Sequence, residues 1–498
     1  MLRVFTGRIY AGFKPTRVVE AIAVLGESIV FAGSASRIEE LCKELECDWV
    51  ELKGVAMPGF VDAHAHLDGV GFSSYAVDLR GCRSVEELKE RIRKALGRFG
   101  GRWVYGRGWD QELFSEGRWP TRWDLDEVCG DRLCVAIRVC GHAGVVNSRV
   151  LEELKLVERF GDSPNLVRDS RGVPTGVVLE DALGFVREAL WSDAEEVRKW
   201  IEAGIRKCLE LGVTGVAWVS CSIPSIAILP QVLKHFDNPP RISIYAEPRY
   251  LEVFSGLGRV AVAPRARVVG IKLFADGSLG ARTAWLSEPY SDDPSTSGRP
   301  VASLEELERL CRAARSRGLD VAIHAIGDRA LDVALRLVEA YGVRIEHASV
   351  VRNDQLAHMS KLLPRVSIQP HFVVTDWWVR KRLGERVSWV YRFRELAEVA
   401  RLGVSTDAPV EPLNPWETVF AATHVSPPGK RIGVEEALKL YTEGSASISH
   451  LEKCGRLEPG YLADFVVLDR DPLEVEGEEL RRIRVLETYV GGERAYPG

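Results

Sequence analysis

The chain has 498 residues and a net charge of −5, with 46% hydrophobic and 28% charged residues. This length exceeds what one small core usually serves, so we expect a large domain and at least one smaller one. The acidic balance disfavours a nucleic-acid partner, which would require a basic surface. The ten cysteines form no CxxC pair, which disfavours a zinc knuckle and predicts buried free thiols.

Two stretches bear on where the protein resides. The first 17 residues carry charges throughout and contain no apolar leader segment. Residues 211–233 carry no charge, but their glycines and prolines indicate a strand, a turn and a short helix. A spanning helix would be more uniformly apolar. We therefore expect a cytoplasmic protein with no membrane partner.

Both ends of the chain are rich in predicted strands. Residues 1–55 contain short apolar runs separated by glycine turns, with one helix-period segment near residue 40. The stretch after Cys454 has the same character. We predict that 1–55 and 455–498 pair with each other in one small composite β-sandwich.

Between these ends, over residues 56–454, apolar strands alternate with helices. The predicted helix at 303–318 begins with a capping box of Ser303 and Glu306 and ends at a glycine. We count eight strands, the number that closes a (β/α) barrel, so the predicted fold class is α/β with a (β/α)8 TIM-like barrel. The strands contain, in order, GFVDAHAH, VTGVAWVS, RISIYAEPRY, VVGIKLFADGS, LDVAIHAIGD, VRIEHASVV, RVSIQPHFVV and GVSTDAPV.

One connection in this series is far too long. Residues 75–200 separate the first strand from the second. Connections in α/β units are normally only a few residues longer than their helix. We therefore predict that 75–200 is an α+β subdomain inserted into the barrel.

The first predicted strand carries a pair of histidines in PGFVDAHAHLDG, residues 58–69. Side chains at positions i and i+2 of a strand point the same way, so His64 and His66 share a face. Two imidazoles on one face can bind one metal ion. A single histidine at a strand end is more often structural, so the pair needs further ligands to make a site.

Four further side chains are predicted at the ends of other barrel strands. Functional residues of a (β/α) barrel lie at the C-terminal ends of its strands, so they meet at one mouth. Imidazole and carboxylate together suit zinc or another first-row divalent ion. The four are Lys272, His324, His347 and Asp407, at the fourth, fifth, sixth and eighth strands. Lys272 also fits a plainer interpretation, a buried lysine paired with an acid such as Asp276.

Several of these stretches together resemble the amidohydrolase superfamily. The branch they resemble is amidohydrolase family 3, which includes YtcJ-like proteins and N-substituted formamide deformylase. The resemblance spans nearly the whole chain, including two stretches of the insertion, GRGWDQ at 106–111 and CGHAGVVNS at 140–148. The other stretches that carry it are PGFVDAHAH, IKLFADGSLGART, AIHAIGDRA, IEHAS, STDAPV and GRLEPGYLADFVVLD.

The resemblance implies a ligand set that strand ends alone do not give. It implies two metal ions, which we expect to be zinc, in a barrel with a terminal β-sandwich and a substrate-side cap formed by the insertion. His64 and His66 would bind one ion, and His324 and His347 the other. Lys272 would bridge them as a carbamate formed with carbon dioxide, which requires a neutral amine such as burial favours. Asp407 would lie beside the bridging water.

These residues predict metal-dependent hydrolysis of non-peptide C–N bonds in an amide or N-acyl small molecule. A bound cation lowers the pKa of water from about 15.7 to about 7 and so supplies hydroxide to attack a carbonyl at neutral pH. Asp407 is the predicted catalytic residue, which accepts the water proton and delivers it to the leaving nitrogen. It also fits a simpler role as an anionic ligand, and the two roles are compatible.

Candidates for substrate contact are less specific, because aromatic and polar residues of barrel loops are as often structural as functional. His371 follows the seventh strand and fits either an oxyanion donor or a histidine bonded to the backbone. The insertion offers a histidine and the GRGWDQ motif. The full set is His142, His371, Trp109, Asp110 and Asp276.

Two alternative functions remain open from the sequence. One is a deaminase of a heterocyclic amine with a single metal ion, which needs no bridging lysine. The other is a non-catalytic barrel that serves as an assembly scaffold, which has no need to keep all six ligands. Barrels of this kind often pair, so a homo-oligomer is possible.

Overall fold

The computed structural model describes residues 1–138, 141, 143–254 and 258–497. They form two compact units, one of residues 1–67 with 204–498 and the other of residues 68–203.

The first unit contains the predicted barrel of eight parallel strands, which neighbour one another in chain order around the sheet. An additional strand, Val260–Ala263, pairs antiparallel with the barrel strand Ala266–Phe274. Backbone bonds close the ring between the first and eighth strands, where the amide of Asp407 donates to the carbonyl of His64 at 2.8 Å. The prediction of a (β/α)8 barrel is confirmed. The strands are β1 (Phe60–Ala65), β2 (Val213–Cys221), β3 (Arg241–Ala246), β4 (Ala266–Phe274), β5 (Asp320–Ala325), β6 (Arg344–His347), β7 (Arg365–Ile368) and β8 (Arg401–Val404).

Helices cover the outside of the barrel strands, so the strands are buried on both faces and read as continuous apolar runs. Every residue of β1 and of β3 is buried. The predicted helix at 303–318 is observed as Leu304–Ser316, with the Ser303 side chain accepting from the Glu306 amide. The other α-helices of this unit are Ala35–Leu41, Ile223–Leu233, Asp328–Tyr341, Asn353–Leu362, Phe372–Thr375, Val379–Leu383, Phe393–Val399, Pro415–Phe420, Val434–Lys439 and Ser445–Ile448. Short 3-10 helices lie at Pro248–Phe254, Gly384–Trp389 and Gly477–Arg482, and π-helical turns at Ala421–Val425 and Leu440–Gly444.

The two ends of the chain meet in one seven-stranded sheet of this unit. Its hydrogen bonds run in one continuous order through all seven strands. Aromatic rings from both ends pack in its core, where the Phe465 and Tyr489 rings stack at 4.4 Å and Phe5 meets both edge-on. The strands, in sheet order, are Glu493–Tyr496, Val485–Val490, Phe465–Leu468, Cys47–Pro58, Leu2–Gly12, Arg17–Leu25 and Ser28–Gly33.

The second unit, residues 68–203, has its own six-stranded mixed sheet and flanking helices. Its core includes the aromatic cluster of Phe72, Tyr105, Trp191 and Trp200, whose ring centroids lie 4.7–5.4 Å apart. Its strands, in sheet order, are Leu166–Arg168, Pro174–Leu179, Ala143–Val146, Leu133–Arg138, Trp103–Trp109 and Val77–Asp78. Its helices are Leu67–Tyr75, Val85–Ala95, Arg122–Cys129, Ser148–Glu153, Leu156–Phe160, Glu180–Trp191 and Ala194–Glu210, with the first and last crossing the unit boundaries, and 3-10 helices at Leu96–Arg98 and Gln111–Leu113.

Two disulfides correct the expectation of free thiols throughout. Cys42 bonds to Cys47 in the first unit, and Cys129 bonds to Cys134 in the second. In each pair, four intervening residues turn the chain so that the two cysteines meet. A search for CxxC motifs, which have two intervening residues, does not find such pairs. The free cysteines among the described residues are buried, as predicted: Cys82, Cys208, Cys221, Cys311 and Cys454. Across the described ranges, every helix is too short or too polar to span a lipid bilayer.

Candidate metal centre

Three ionisable side chains meet where the barrel closes. His64 is the fifth residue of β1, His66 lies just beyond that strand, and Asp407 follows β8. The Nε2 atoms of His64 and His66 lie 3.2 and 3.1 Å from the same atom, Oδ1 of Asp407. His64 and Asp407 are buried, whereas the His66 side chain is 30% exposed. The i, i+2 spacing therefore directs both imidazoles at one carboxylate oxygen.

Three other strands of the barrel, β4, β5 and β6, add three more side chains to this cluster. Lys272 of β4 places Nζ 3.4 Å from Nε2 of His64. The His347 ring at the end of β6 lies 5.0 Å from the His64 ring and 4.5 Å from the His324 ring of β5. The structure thus brings all six predicted ligands into one contiguous group at the C-terminal ends of the strands. Ligand atoms of His64, His347 and Asp407 lie within 4.8 Å of one another, close enough to share an ion.

Two of the four imidazoles, His64 and His347, are held by partners on the side away from the cluster, whereas Nε2 of His324 bonds to the Gly277 carbonyl at 2.9 Å. Nδ1 of His64 bonds to Oε2 of Glu346 at 2.6 Å, and Nδ1 of His347 bonds to Oε1 of Gln369 at 2.7 Å. Both contacts leave Nε2 available. A ring nitrogen bonded to a carboxylate or amide oxygen is the usual support of a metal-bound histidine, because it fixes the tautomer and the ring orientation. This support fits a divalent cation at the cluster.

Burial shifts the pKa values of several side chains in the cluster. It lowers the pKa of His324 to about 3 and the pKa of His347 well below the ordinary histidine value, and the Lys272 charge acts in the same direction on both. Burial also lowers the pKa of Lys272 to about 8, although Glu346 and Asp407 oppose this shift. Asp407 is desolvated too, but His64 and His66 hold the pKa of its carboxyl well below the usual range. The pKa of His64 is raised, because burial and Lys272 are outweighed by Asp407 and Glu346. Neutral imidazoles, as at His324 and His347, and an ionised carboxylate are the forms that bind cations.

Asp62, two residues before His64 in PGFVDAHAHLDG, is a functional candidate to which the sequence pattern assigned no role. Its Oδ1 accepts from the amides of His64 and Thr406 at 3.0 and 3.2 Å, and its Oδ2 accepts from the Thr406 hydroxyl at 2.6 Å. Burial raises its pKa to about 6 despite these bonds. Asp62 therefore ties the histidine strand to the residue before Asp407. The alternating spacing of Asp62, His64 and His66 was the available signal.

A buried arginine completes the support of His64. Nε of Arg344 donates to Oε1 of Glu346 at 2.6 Å, and neither side chain is exposed to solvent. Arg344 also donates to the carbonyls of Ile448 and Ala63, at 3.1 and 3.0 Å. The Glu346 carboxylate thus bridges a fixed guanidinium and the His64 ring.

Glu346→Gln is expected to disturb both neighbours of this carboxylate. Metal affinity should fall by about 10–100-fold, the usual cost of losing a carboxylate behind a histidine ligand. The free energy of unfolding should fall by about 3–5 kcal/mol, because Arg344 is left as a buried charge without its anion. Chelator competition and urea unfolding measure the two effects. Glu474→Gln, which removes only an exposed ion pair with Arg8, is the control, and an equal loss in both variants would contradict the assignment.

Two predicted substrate contacts are corrected by burial. Trp109 is fully buried in the second unit, where its indole N–H donates to the carbonyl of Ala136 at 2.9 Å and its ring packs on Trp119. Asp276 is 1% exposed, and its oxygens accept from the amides of Trp285, Ile326 and Gly327 at 2.8–3.0 Å. Neither side chain offers a free surface to a substrate, although Oδ1 of Asp276 lies 3.5 Å from Nε2 of His324.

The remaining candidates for substrate contact have separate surroundings. Asp110 pairs with Arg138 of the same unit at 2.7 Å. His371 follows β7 and is 8% exposed, and its Nδ1 bonds closely to Glu411, whose other oxygen accepts from Thr375 at 2.6 Å. His142 lies outside the described residues.

The sequence is similar over almost its full length to a known protein family and to individual members of it. The family model described as "Amidohydrolase family" matches residues 50–496, nearly the whole chain. The chain belongs to the amidohydrolase family. YtcJ of Bacillus subtilis is 32% identical to it, over 98% of both chains. The N-substituted formamide deformylase of Arthrobacter pascens is 26% identical, over 96% of this chain and 95% of the deformylase.

A solved structure agrees in fold and in class. The crystal structure of a metal-dependent hydrolase from Pyrococcus horikoshii superposes with a TM-score of 0.87 at 40% identity, covering 95% of this chain and 99% of that one. Membership of the amidohydrolase family confirms the predicted class, a metal-dependent hydrolase of carbon–nitrogen bonds, and with it the predicted family resemblance. The alternative of a non-catalytic scaffold is thereby set aside.

Proposed function

We propose that this amidohydrolase hydrolyses the amide bond of an N-acyl or N-formyl small molecule at a centre of two zinc ions bridged by Lys272 carbamate. The observation that carries the proposal is the position of Lys272. Its buried Nζ lies 3.4 Å from Nε2 of His64, and its charge acts on His324 and His347 as well. One amine thus lies among imidazoles of both predicted ligand pairs, where a bridge between two ions would be needed.

Formation of the carbamate needs only the Lys272 amine and carbon dioxide. The neutral Lys272 amine attacks carbon dioxide, a C–N bond forms, and the nitrogen loses one proton to solvent. The product is an anion with two oxygens, which suits two cations, whereas an ammonium group would repel them. With Lys272 as carbamate, His64 and His66 would hold one ion and His324 and His347 the other, with Asp407 as a further ligand.

A divalent cation, when bound, supplies Lewis acidity that lowers the pKa of a water molecule to about 7 and polarises a carbonyl oxygen. Asp407 would accept the proton of the attacking water through its carboxylate, which is ionised at neutral pH. Asp407 then delivers the proton to the leaving nitrogen as the C–N bond breaks. Water and amide thus give a carboxylic acid and an amine.

His371 is proposed as the donor to the developing oxyanion. Its Nδ1 donates to the Glu411 carboxylate, so Nε2 donates to an oxyanion when the ring carries a proton on both nitrogens. A donor of this kind contributes in the transition state, where the carbonyl oxygen gains charge.

His371→Asn is expected to lower kcat by about 10²-fold, the scale for loss of one oxyanion donor. Metal content should stay unchanged, because His371 is not among the proposed ligands. Steady-state kinetics and elemental analysis on the same preparation measure the two quantities. A variant with normal kcat, or one that has lost its metal, would contradict this role.

The substrate class is tested with a panel of compounds and two readouts. N-formyl and N-acyl amines, with N-substituted formamides first because of the Arthrobacter pascens relative, are assayed for release of the free amine. Heterocyclic amines are assayed for release of ammonia. Amine release that Asp407→Asn abolishes would support the proposal. Ammonia release alone would instead indicate a deaminase.

A further inference from the structure

A cavity lies at the opposite end of the barrel from the metal centre. It has a volume of about 490 Å³ and is lined by the N-terminal ends of β3 and β4 and by residues 450–454, all within the first unit. We call it the floor cavity. Its volume falls within the range of small-molecule sites. The metal-centre residues lie at the C-terminal ends of the barrel strands, so the floor cavity takes no part in the proposed hydrolysis.

The floor cavity presents hydrogen-bond donors that have no acceptor among the described residues. Arg241 is only 9% exposed, and its Nε and Nη2 bind Asp464 and Glu27 while Nη1 has no partner. The Ser243 hydroxyl, on a residue that is 2% exposed, lines the same cavity and has no partner either. Both atoms are reached by solvent and face the open space of the cavity. These two donors are therefore positioned for a ligand.

Two cations at the opening of the floor cavity are also unpaired. Arg267 and Lys453 are exposed and line the cavity, and neither has an acid within ion-pair distance in the described part of the chain. Glu452 is the one acidic residue in the lining. The Glu27 and Asp464 carboxylates are already engaged by Arg241 and Arg265. The charge still available at the cavity is therefore positive.

We propose that the floor cavity binds a phosphate-bearing small molecule. Guanidinium groups and a lysine ammonium are the side chains that bind phosphate oxygens, and a buried hydroxyl adds a further donor. The cavity is larger than a single ion, so there is space beside the phosphate for an organic group. The ligand would place its phosphate among Arg241, Ser243, Arg267 and Lys453.

The test is calorimetric titration of the metal-loaded full chain at constant ionic strength, with inorganic phosphate in one series and glycerol 3-phosphate in the other. We expect a Kd on the order of 1 mM or tighter, about −4 kcal/mol. The double variant Arg267→Ser/Lys453→Ser should bind at least tenfold more weakly. Ser243→Ala should weaken binding about fivefold, the scale of one hydrogen bond. If glycerol 3-phosphate binds more tightly than inorganic phosphate, the site takes a phosphorylated metabolite. If the two probes bind equally, the site takes free phosphate.

The matched control is Arg309→Ser/Lys361→Ser, which removes two exposed cations from helices elsewhere in the same unit. It should bind both probes as the parent does. Because phosphate can also bind metal ions, hydrolase activity is followed in each variant and should be unchanged in the floor-cavity variant. Equal affinity of the floor-cavity variant and the control would overturn the proposal. So would an absence of binding in the parent.

Discussion

Asp407→Asn is expected to lower kcat by about 10³-fold, within the range for loss of a general acid–base group. The amide of asparagine keeps the size of the side chain but cannot accept the proton of water. It also cannot remain the anion that His64 and His66 both contact in the parent. The measurement is steady-state hydrolysis of the best amide in the panel.

Metal content separates the two roles of Asp407. If it acts mainly as proton acceptor, the variant should retain its metal and lose only kcat. If it acts mainly as ligand, metal content and activity should fall together. Either result agrees with the proposed site, whereas a variant with full metal and a kcat within a factor of about ten of the parent would contradict the proton role.

Lys272→Ala is expected to reduce metal content from two ions per chain to one or none, and kcat by about 10³-fold, the upper scale for loss of electrostatic stabilisation. The alanine removes the amine that would carry the carbamate and leaves space beside His64. A short carboxylic acid such as propionate offers two oxygens to that space. Added propionate should therefore restore part of the metal content and activity.

Lys272→Arg is the matched control, because arginine keeps a positive charge but forms no carbamate. It should lose metal as Lys272→Ala does, without rescue by propionate. Two ions per chain in either variant would contradict a bridging role for Lys272.

The barrel could be predicted from sequence because its strands and helices are recognised from local patterns of apolar residues and from the lengths of the connections. Strand runs such as GFVDAHAH and the long gap at 75–200 follow from pattern and length alone. The strand-end rule then placed six side chains at one mouth, and in the structure they are in contact. The cluster was predictable because strand order and strand direction fix which ends meet.

The partners of the histidines could not be predicted in the same way. Glu346 and Gln369 lie far from His64 in sequence, and they reach the imidazoles only through the register of β6 and β7 against their neighbours. A motif also does not tell which way a side chain faces. Trp109 turns into the core of its own unit, and Asp276 turns back to cap the backbone of its own loop and of the loop after β5.

The central claim is a binuclear centre bridged by carbamylated Lys272. Its most direct test is metal content per chain, on protein purified without added metal, together with the intact mass of the same protein under native conditions. We predict two equivalents of metal and a mass increase of one carbon dioxide that is lost on denaturation. One equivalent with no adduct would contradict the claim and would indicate a single-metal site with deaminase chemistry.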